Sequence, residues 1–199
     1  MSTLSRNAEV LKFFAEKGAG LGLTRLQKLA YLADLESRKV LGHPISEFRY
    51  LWYNHGPFDK ALYTAREELV RKGFAEPEEG FTLFGNFERR TLDTGREVVY
   101  SFTPAEREIL EYVARVYLST NLTDTLAHVY ATEPMRAATR GQPIPMELVD
   151  RRDRDAIGFD LEEVIAAERD IEQGNYTLAS DFFNGLRAQI SAGRPLTNH

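Results

Sequence analysis

Cysteine is absent from all 199 residues. That excludes disulfides, thiol nucleophiles, zinc-finger sites and thiolate-bound iron–sulfur clusters, and it suits a reducing compartment. Long apolar runs are missing as well, and none approaches the roughly twenty residues needed to span a bilayer. The opening Met1-Ser2-Thr3-Leu4-Ser5-Arg6-Asn7 has no apolar core of the signal-peptide kind. The expected location is therefore cytoplasmic, with no membrane contact. Positive charge is in short supply: 25 basic residues face 30 acidic ones, a net −5. Broad binding to nucleic acid depends on Lys and Arg at phosphates, so nucleic acid is not expected as the main partner.

What is present describes a globular chain. Hydrophobic residues make up 43% and charged residues 28%, enough apolar material for a core without staples. The length fits one domain of ordinary size, or one domain with a helical appendage. Val10, Leu11, Phe13 and Phe14 form a helical stripe over residues 4 to 17, ended by Gly18-Ala19-Gly20. Thr24 and Gln27 have capping-box spacing. The helix after them places Leu26, Leu29, Ala30, Leu32 and Ala33 inward and stops near Gly42. Phe48, Tyr50 and Trp52 alternate with Arg49, Leu51 and Tyr53, which is strand periodicity, and Pro57 is expected to end that strand at a Gly56-Pro57 corner. A helix from about Asp59 to Lys72 presents Leu62, Ala65, Leu69 and Val70, with Gly73 as its cap.

Phe81-Thr82-Leu83-Phe84 and the run Glu97 to Phe102, with Asp93-Thr94-Gly95 between them, predict a hairpin. Thr103-Pro104-Ala105-Glu106 then opens a helix with Thr as N-cap, Pro at N1 and Glu at N3. That helix buries Ile109, Leu110, Val113, Val116 and Tyr117. Leu122 to Thr139 reads as one helix or two divided near Pro134. Gly141-Gln142-Pro143-Ile144-Pro145 marks a loop and the expected boundary: residues 1–145 form the main domain, and 146–199 a linker and C-terminal helical extension. The last helix, about 178 to 191, carries Phe182, Phe183, Leu186 and Ile190. The fold class is α+β, mainly α-helical, with a winged-helix-like core and a small β-hairpin or sheet.

Several words of the sequence recur in a known order. They are Leu26-Gln27-Lys28-Leu29 with Tyr31-Leu32-Ala33, then His43-Pro44-Ile45, then Gly56-Pro57 and Leu62-Tyr63, then Leu69 with Gly73-Phe74. In order and spacing the stretch resembles the Panacea domain, the SocA-like antitoxins of bacterial and phage toxin–antitoxin systems. The likeness covers roughly residues 8 to 140. It departs from the family's pattern where Tyr130 and Met135 stand in place of His and Trp, with His128 displaced. The resemblance implies a protein-binding module and not an enzyme. Its implied partner is a cognate toxin, encoded by a neighbouring gene and held in an inactive complex. It also implies a minor role as a proteolytic adaptor that hands the toxin to protease machinery.

The unusual residues cluster at one corner. Gly56 and Pro57 are structural there, Gly for its conformational range and Pro for a fixed approach to the next helix. Trp52, Tyr53, Asn54, His55, Phe58 and Tyr63 are the candidate partner-binding residues, since aromatic anchors beside polar groups suit protein interfaces. Phe182 and Phe183 join them as a second candidate surface, for a toxin or for another copy of this chain. No catalytic, cofactor or metal site is expected. The histidines at 43, 55, 128 and 199 show no HxxxH or HExxH pairing. Ser101 and Ser119 lack a nucleophile elbow. Gly18 to Gly22 lacks the Lys-Ser/Thr of a phosphate loop and reads as a connection between helices. The alternative function is a winged-helix transcriptional regulator, reading DNA through the helix with Lys60, Arg66, Arg71 and Lys72 and through Arg89 and Arg90. Glu67 and Glu68 on that same helix weigh against it. An uncharacterised enzyme is the third reading.

Overall fold

A computed structural model describes residues 4–81 and 87–149. The expected linker and helices beyond residue 149, with Phe182 and Phe183, lie outside the described residues. The described part is α+β, with helices around two small antiparallel sheets.

Helix α1 (Arg6–Lys17) is capped by the Ser5 side chain and ended by Gly18, and Val10, Leu11, Phe13 and Phe14 along it are buried. Helix α2 (Leu23–Leu41) runs to Gly42, whose φ of 81° closes the helix in the left-handed region. Leu26, Leu29, Ala30, Leu32 and Ala33 are all buried, as the periodicity predicts. The capping box expected at Thr24 and Gln27 does not form. The helix starts two residues earlier, after Gly22, without a side-chain cap. Its start is set by strand β1 (Leu21–Gly22), which pairs with β5 (Phe87–Asp93) and delivers the chain directly into the helix. Helix α4 (Pro104–Leu118) starts with the predicted capping box, Thr103 and Glu106 bonding reciprocally. The Arg25 guanidinium of α2 donates to Tyr117 O at 2.7 Å and Leu118 O at 3.0 Å, satisfying carbonyls at the end of α4.

The main sheet has the order β1-β5-β4, with β4 spanning Ala75–Phe81. The expected hairpin is corrected in its second strand, while Thr82, Leu83 and Phe84 of the first lie outside the described residues. Phe81 faces Phe87, not the run from Glu97 to Phe102, which lies in no strand. Strand β4 was hidden by its Pro77 and three glutamates. It is an edge strand, where a missing N–H is tolerated, and its acids meet basic partners across the pair. Glu79 faces Arg89, with an ion pair of 3.1 Å, and Glu78 faces Arg90. Such exposed pairs contribute little energy but oppose a register slip. The Glu97 to Phe102 run packs by side chains instead. Tyr100 and Phe102 stack 5.1 Å apart and meet Phe13 edge-on, while the Glu9 carboxylate accepts the Ser101 N–H and hydroxyl.

The second sheet pairs β2 (Leu51–Tyr53) with β3 (Gly56–Phe58). The strand expected to end at the corner therefore turns at Asn54-His55 and comes back, and Pro57 sits inside a strand. The register explains how: Pro57 faces Trp52, and Trp52 turns its backbone the other way, its N–H to Gln142 O (2.9 Å) and its O to the Gly141 N–H (2.7 Å). Paired residues alternate between hydrogen-bonded and non-bonded sites, so Pro57 occupies one that needs no donor. Helix α3 (Ala61–Arg71) follows, with Leu62, Ala65 and Leu69 buried, Val70 half-buried and Gly73 bonding back to Val70 O. The predicted break near Pro134 falls at Thr132, between α5 (Leu122–Ala131) and α6 (Glu133–Ala137).

One buried acid sets where the hairpin stands. Asp34 on α2 accepts the backbone N–H groups of Ile45 (2.9 Å) and Ser46 (2.7 Å), the Ser46 hydroxyl and the Tyr50 hydroxyl (2.7 Å). Burial pushes its carboxyl up, and these four donors oppose the shift. Asp34→Ala strands the donors in a dry interior, where each unpaired group costs about 1–3 kcal/mol. The expected result is a loss of about 3 kcal/mol or more in urea unfolding, with unchanged stability counting against this role.

Candidate functional site

The predicted corner is a real surface feature. Tyr53 and Tyr63 are 52% and 41% exposed, Asn54 and His55 are exposed, and Trp52 and Phe58 are half-buried. The rings form a chain: Tyr53 to Phe58 at 5.4 Å, then Phe58 to Tyr63 at 6.0 Å. Trp52 turns to the other side and meets Tyr130 of α5 at 6.1 Å. Tyr130 thus supports the hairpin from behind, while His128 lies against Tyr117 at 5.2 Å and Met135 is buried. Asn54 accepts from the Arg140 guanidinium at 3.2 Å, which ties the turn to the segment after α6.

Gly56 is needed for two reasons. Its φ of 90° is a conformation that side-chain-bearing residues rarely adopt. A Cβ there would also lie 3.5 Å from the Tyr130 ring and 3.7 Å from Lys28 Nζ.

Behind the exposed rings lies a cavity of about 180 Å³. Tyr53, Asn54, His55, Phe58 and Tyr63 line its mouth, so the structure brings these five predicted residues together. Its inner wall is the first turns of α2, and there the sequence reading missed two residues, Gln27 and Lys28. Both are 2% exposed. Lys28 Nζ donates to Pro57 O at 2.6 Å, and among the described residues no carboxylate pairs with it. Burial alone lowers its pKa to about 7. Gln27 has neither its amide nitrogen nor its amide oxygen in a hydrogen bond. Their signal was visible in the sequence: two consecutive polar residues interrupt the apolar run from Leu26 to Ala33. In sequence they have the spacing of a cap and the order of a family motif, and only the fold brings them to a cavity.

A second, more open cleft adjoins the first, sharing Leu23, Thr24 and Tyr63 and extending to Arg89 and Arg90. No group of three or more metal-ligating side chains occurs among the described residues. No helix among them is long and apolar enough to cross a membrane.

A family model described as antitoxin SocA-like, Panacea domain, matches residues 26–134, more than half of the chain. The chain is a member of that family. The matched span begins at Leu26, one residue before Gln27, and takes in the Asp34 anchor and the whole β2–β3 hairpin. No curated protein and no solved structure matches the chain significantly. Membership of this antitoxin-like family gives the site its setting, a toxin–antitoxin role.

Two outcomes follow from the corner's geometry. Gly56→Val forces a β-branched residue into positive φ, at a cost of about 1–3 kcal/mol, and the Tm is expected to fall by several degrees. Lys28 gives a pH signature. In the unfolded chain its pKa returns to 10.5, so between pH 7 and 10.5 the unfolded state holds more protons. The Lys28 contribution to stability therefore rises with pH across that window, by up to about 1.4 kcal/mol per unit, and is flat below it. Urea unfolding of Lys28→Met beside the parent protein is expected to show the variant's relative advantage shrinking from pH 7 to pH 9. A constant difference would mean that Lys28 stays charged.

Proposed function

We propose that this Panacea-domain protein neutralises a cognate toxin by direct complex formation, with the β2–β3 corner as its contact surface. The observation that carries this reading is the Tyr53–Phe58–Tyr63 ring chain, exposed at Tyr53 and Tyr63 and held on the β2–β3 hairpin and the first turn of α3. Exposed aromatic groups beside polar ones match the anchors of protein interfaces. Binding requires no chemistry of the antitoxin itself, which agrees with a family of non-enzymatic proteins. Delivery of the bound toxin to a protease is a secondary role that the family suggests. The domain carrying the activity is taken as residues 1–145, with the remainder as a separate extension whose Phe182 and Phe183 offer a further contact.

The DNA-reading alternative has less support. Arg66 on α3 is turned inward, its guanidinium donating to Thr91 Oγ1 at 3.1 Å and Arg90 O at 3.0 Å. Lys72 pairs with Glu68 at 2.7 Å. Cations held this way do not face phosphates.

Expression of the neighbouring toxin alone is expected to arrest growth, and co-expression with this protein to restore it through a complex that co-purifies. His55→Ala and Phe58→Ala are expected to melt near the parent temperature while weakening the complex, for a central anchor by about 2 kcal/mol or roughly thirtyfold. A harmless neighbour would end the antitoxin reading. Normal toxin binding by both variants would move the contact surface elsewhere.

A further inference from the structure

The cavity behind the corner is built for more than packing. Its inner wall holds a buried ammonium, Lys28, bonded to a neutral carbonyl, and beside it a buried primary amide, Gln27, with no hydrogen-bond partner among the described residues. A buried polar group without a partner costs free energy, and a buried charge without a counter-charge costs more. A fold that keeps both, side by side and facing one cavity, lacks the group that would satisfy both. Water can bond to the amide but brings no charge. A carboxylate answers the two donors, one oxygen accepting from Lys28 Nζ and the other from Gln27 Nε2 in charge-assisted bonds, and leaves Gln27 Oε1 to water. The volume of about 180 Å³ admits one side chain and little else. The rings at the mouth then shield the ion pair from water.

We infer that this cavity takes the carboxylate of a glutamate or aspartate side chain presented by the partner protein, held between Lys28 and Gln27. The inference rests on the corner being the contact surface, and it names the chemistry of the residue that enters. The groups facing Lys28 are few. Pro57 of β3 supplies its carbonyl, and Tyr130 of α5 approaches from behind. Tyr53, His55 and Tyr63 stand at the mouth. Binding an anion holds Lys28 in its charged form. With a pKa of about 7 in the free protein, the competent fraction falls about tenfold between pH 6 and pH 8, and affinity falls with it.

The test uses the full chain labelled with ¹⁵N, reading the Gln27 side-chain amide by NMR during titration with three probes. These are N-acetylglutamate N-methylamide, its neutral isostere N-acetylglutamine N-methylamide, and N-acetylalanine, whose only carboxylate is terminal. The glutamate probe is expected to shift the Gln27 amide and to bind at least about tenfold more tightly than the glutamine probe. Its affinity is expected to drop about tenfold from pH 6 to pH 8 in the parent and in His55→Asn, and to lose that slope in Lys28→Met. Gln27→Met is expected to bind more weakly while melting no lower than the parent, since it removes an unpaired amide. Equal binding of the first two probes, no binding, or a slope that survives in Lys28→Met overturns the inference. Preference for N-acetylalanine overturns the side-chain source in favour of a chain terminus. Loss of toxin binding in the corner variants without any probe binding leaves the antitoxin reading standing and removes this one. Probe binding with toxin binding unaffected by the corner variants moves the contact surface elsewhere and overturns the partner protein as the source of the carboxylate.

Discussion

Asp34 holds the corner in place. It is a carboxylate at the middle of α2, surrounded by apolar neighbours, that receives donors from the chain immediately after the helix and from Tyr50. Through it the chain leaving Gly42 folds back along α2 and does not run on into solvent. That return fixes where β2 begins, and β2 fixes where the hairpin meets the first turns of α2. The constraint is directional in a way that apolar burial is not: hydrophobic contact between α2 and the hairpin tolerates sliding, while four convergent hydrogen bonds do not. Tyr31 reinforces it from the same helix. Its ring meets Tyr50 edge-on at 5.3 Å, and its hydroxyl bonds Thr132 at 2.8 Å, so α2, the residue leading into β2 and the residue closing α5 share one polar seam.

Periodicity revealed the helices because their apolar residues recur at helical spacing, even in α1 and α2, where burial runs unbroken from Ala8 to Ala15 and from Leu26 to Ser37. The Thr103 capping box was legible because its residues act on their immediate neighbours. The strands were harder to read for a physical reason. β4 is acidic and contains proline, and only its partner β5, with Arg89 and Arg90, makes it a strand. β1 is two residues long and has no pattern of its own. Thr24 and Gln27 show the opposite error, in which a local rule was satisfied on paper and overridden by the pairing of Leu21 and Gly22 with β5. The aromatic mouth of the corner was legible, since Tyr53, His55 and Phe58 are close in sequence. Its inner wall was not, because Gln27 and Lys28 lie some thirty residues earlier and reach the hairpin only once Asp34 has turned the chain. The words that mark the family thus fall on both sides of a contact that no linear reading joins.

The backbone of β3 has a further effect on how the corner meets other molecules. Gly56 and Phe58 sit at the pairing sites with β2, so the residue facing outward along that edge is Pro57. Proline offers no N–H, and its carbonyl already accepts from Lys28. On its other side β2 is occupied by the Gly141 to Ile144 segment, where Pro143 faces Leu51. The small sheet therefore presents no row of open main-chain groups, and an incoming strand finds nothing to extend. On the proposed reading, recognition at this corner discriminates by side chains alone. A surface of that kind stays silent toward the many exposed edges in a cell and can be retuned to a new partner by changing rings and charges without altering the strand beneath them.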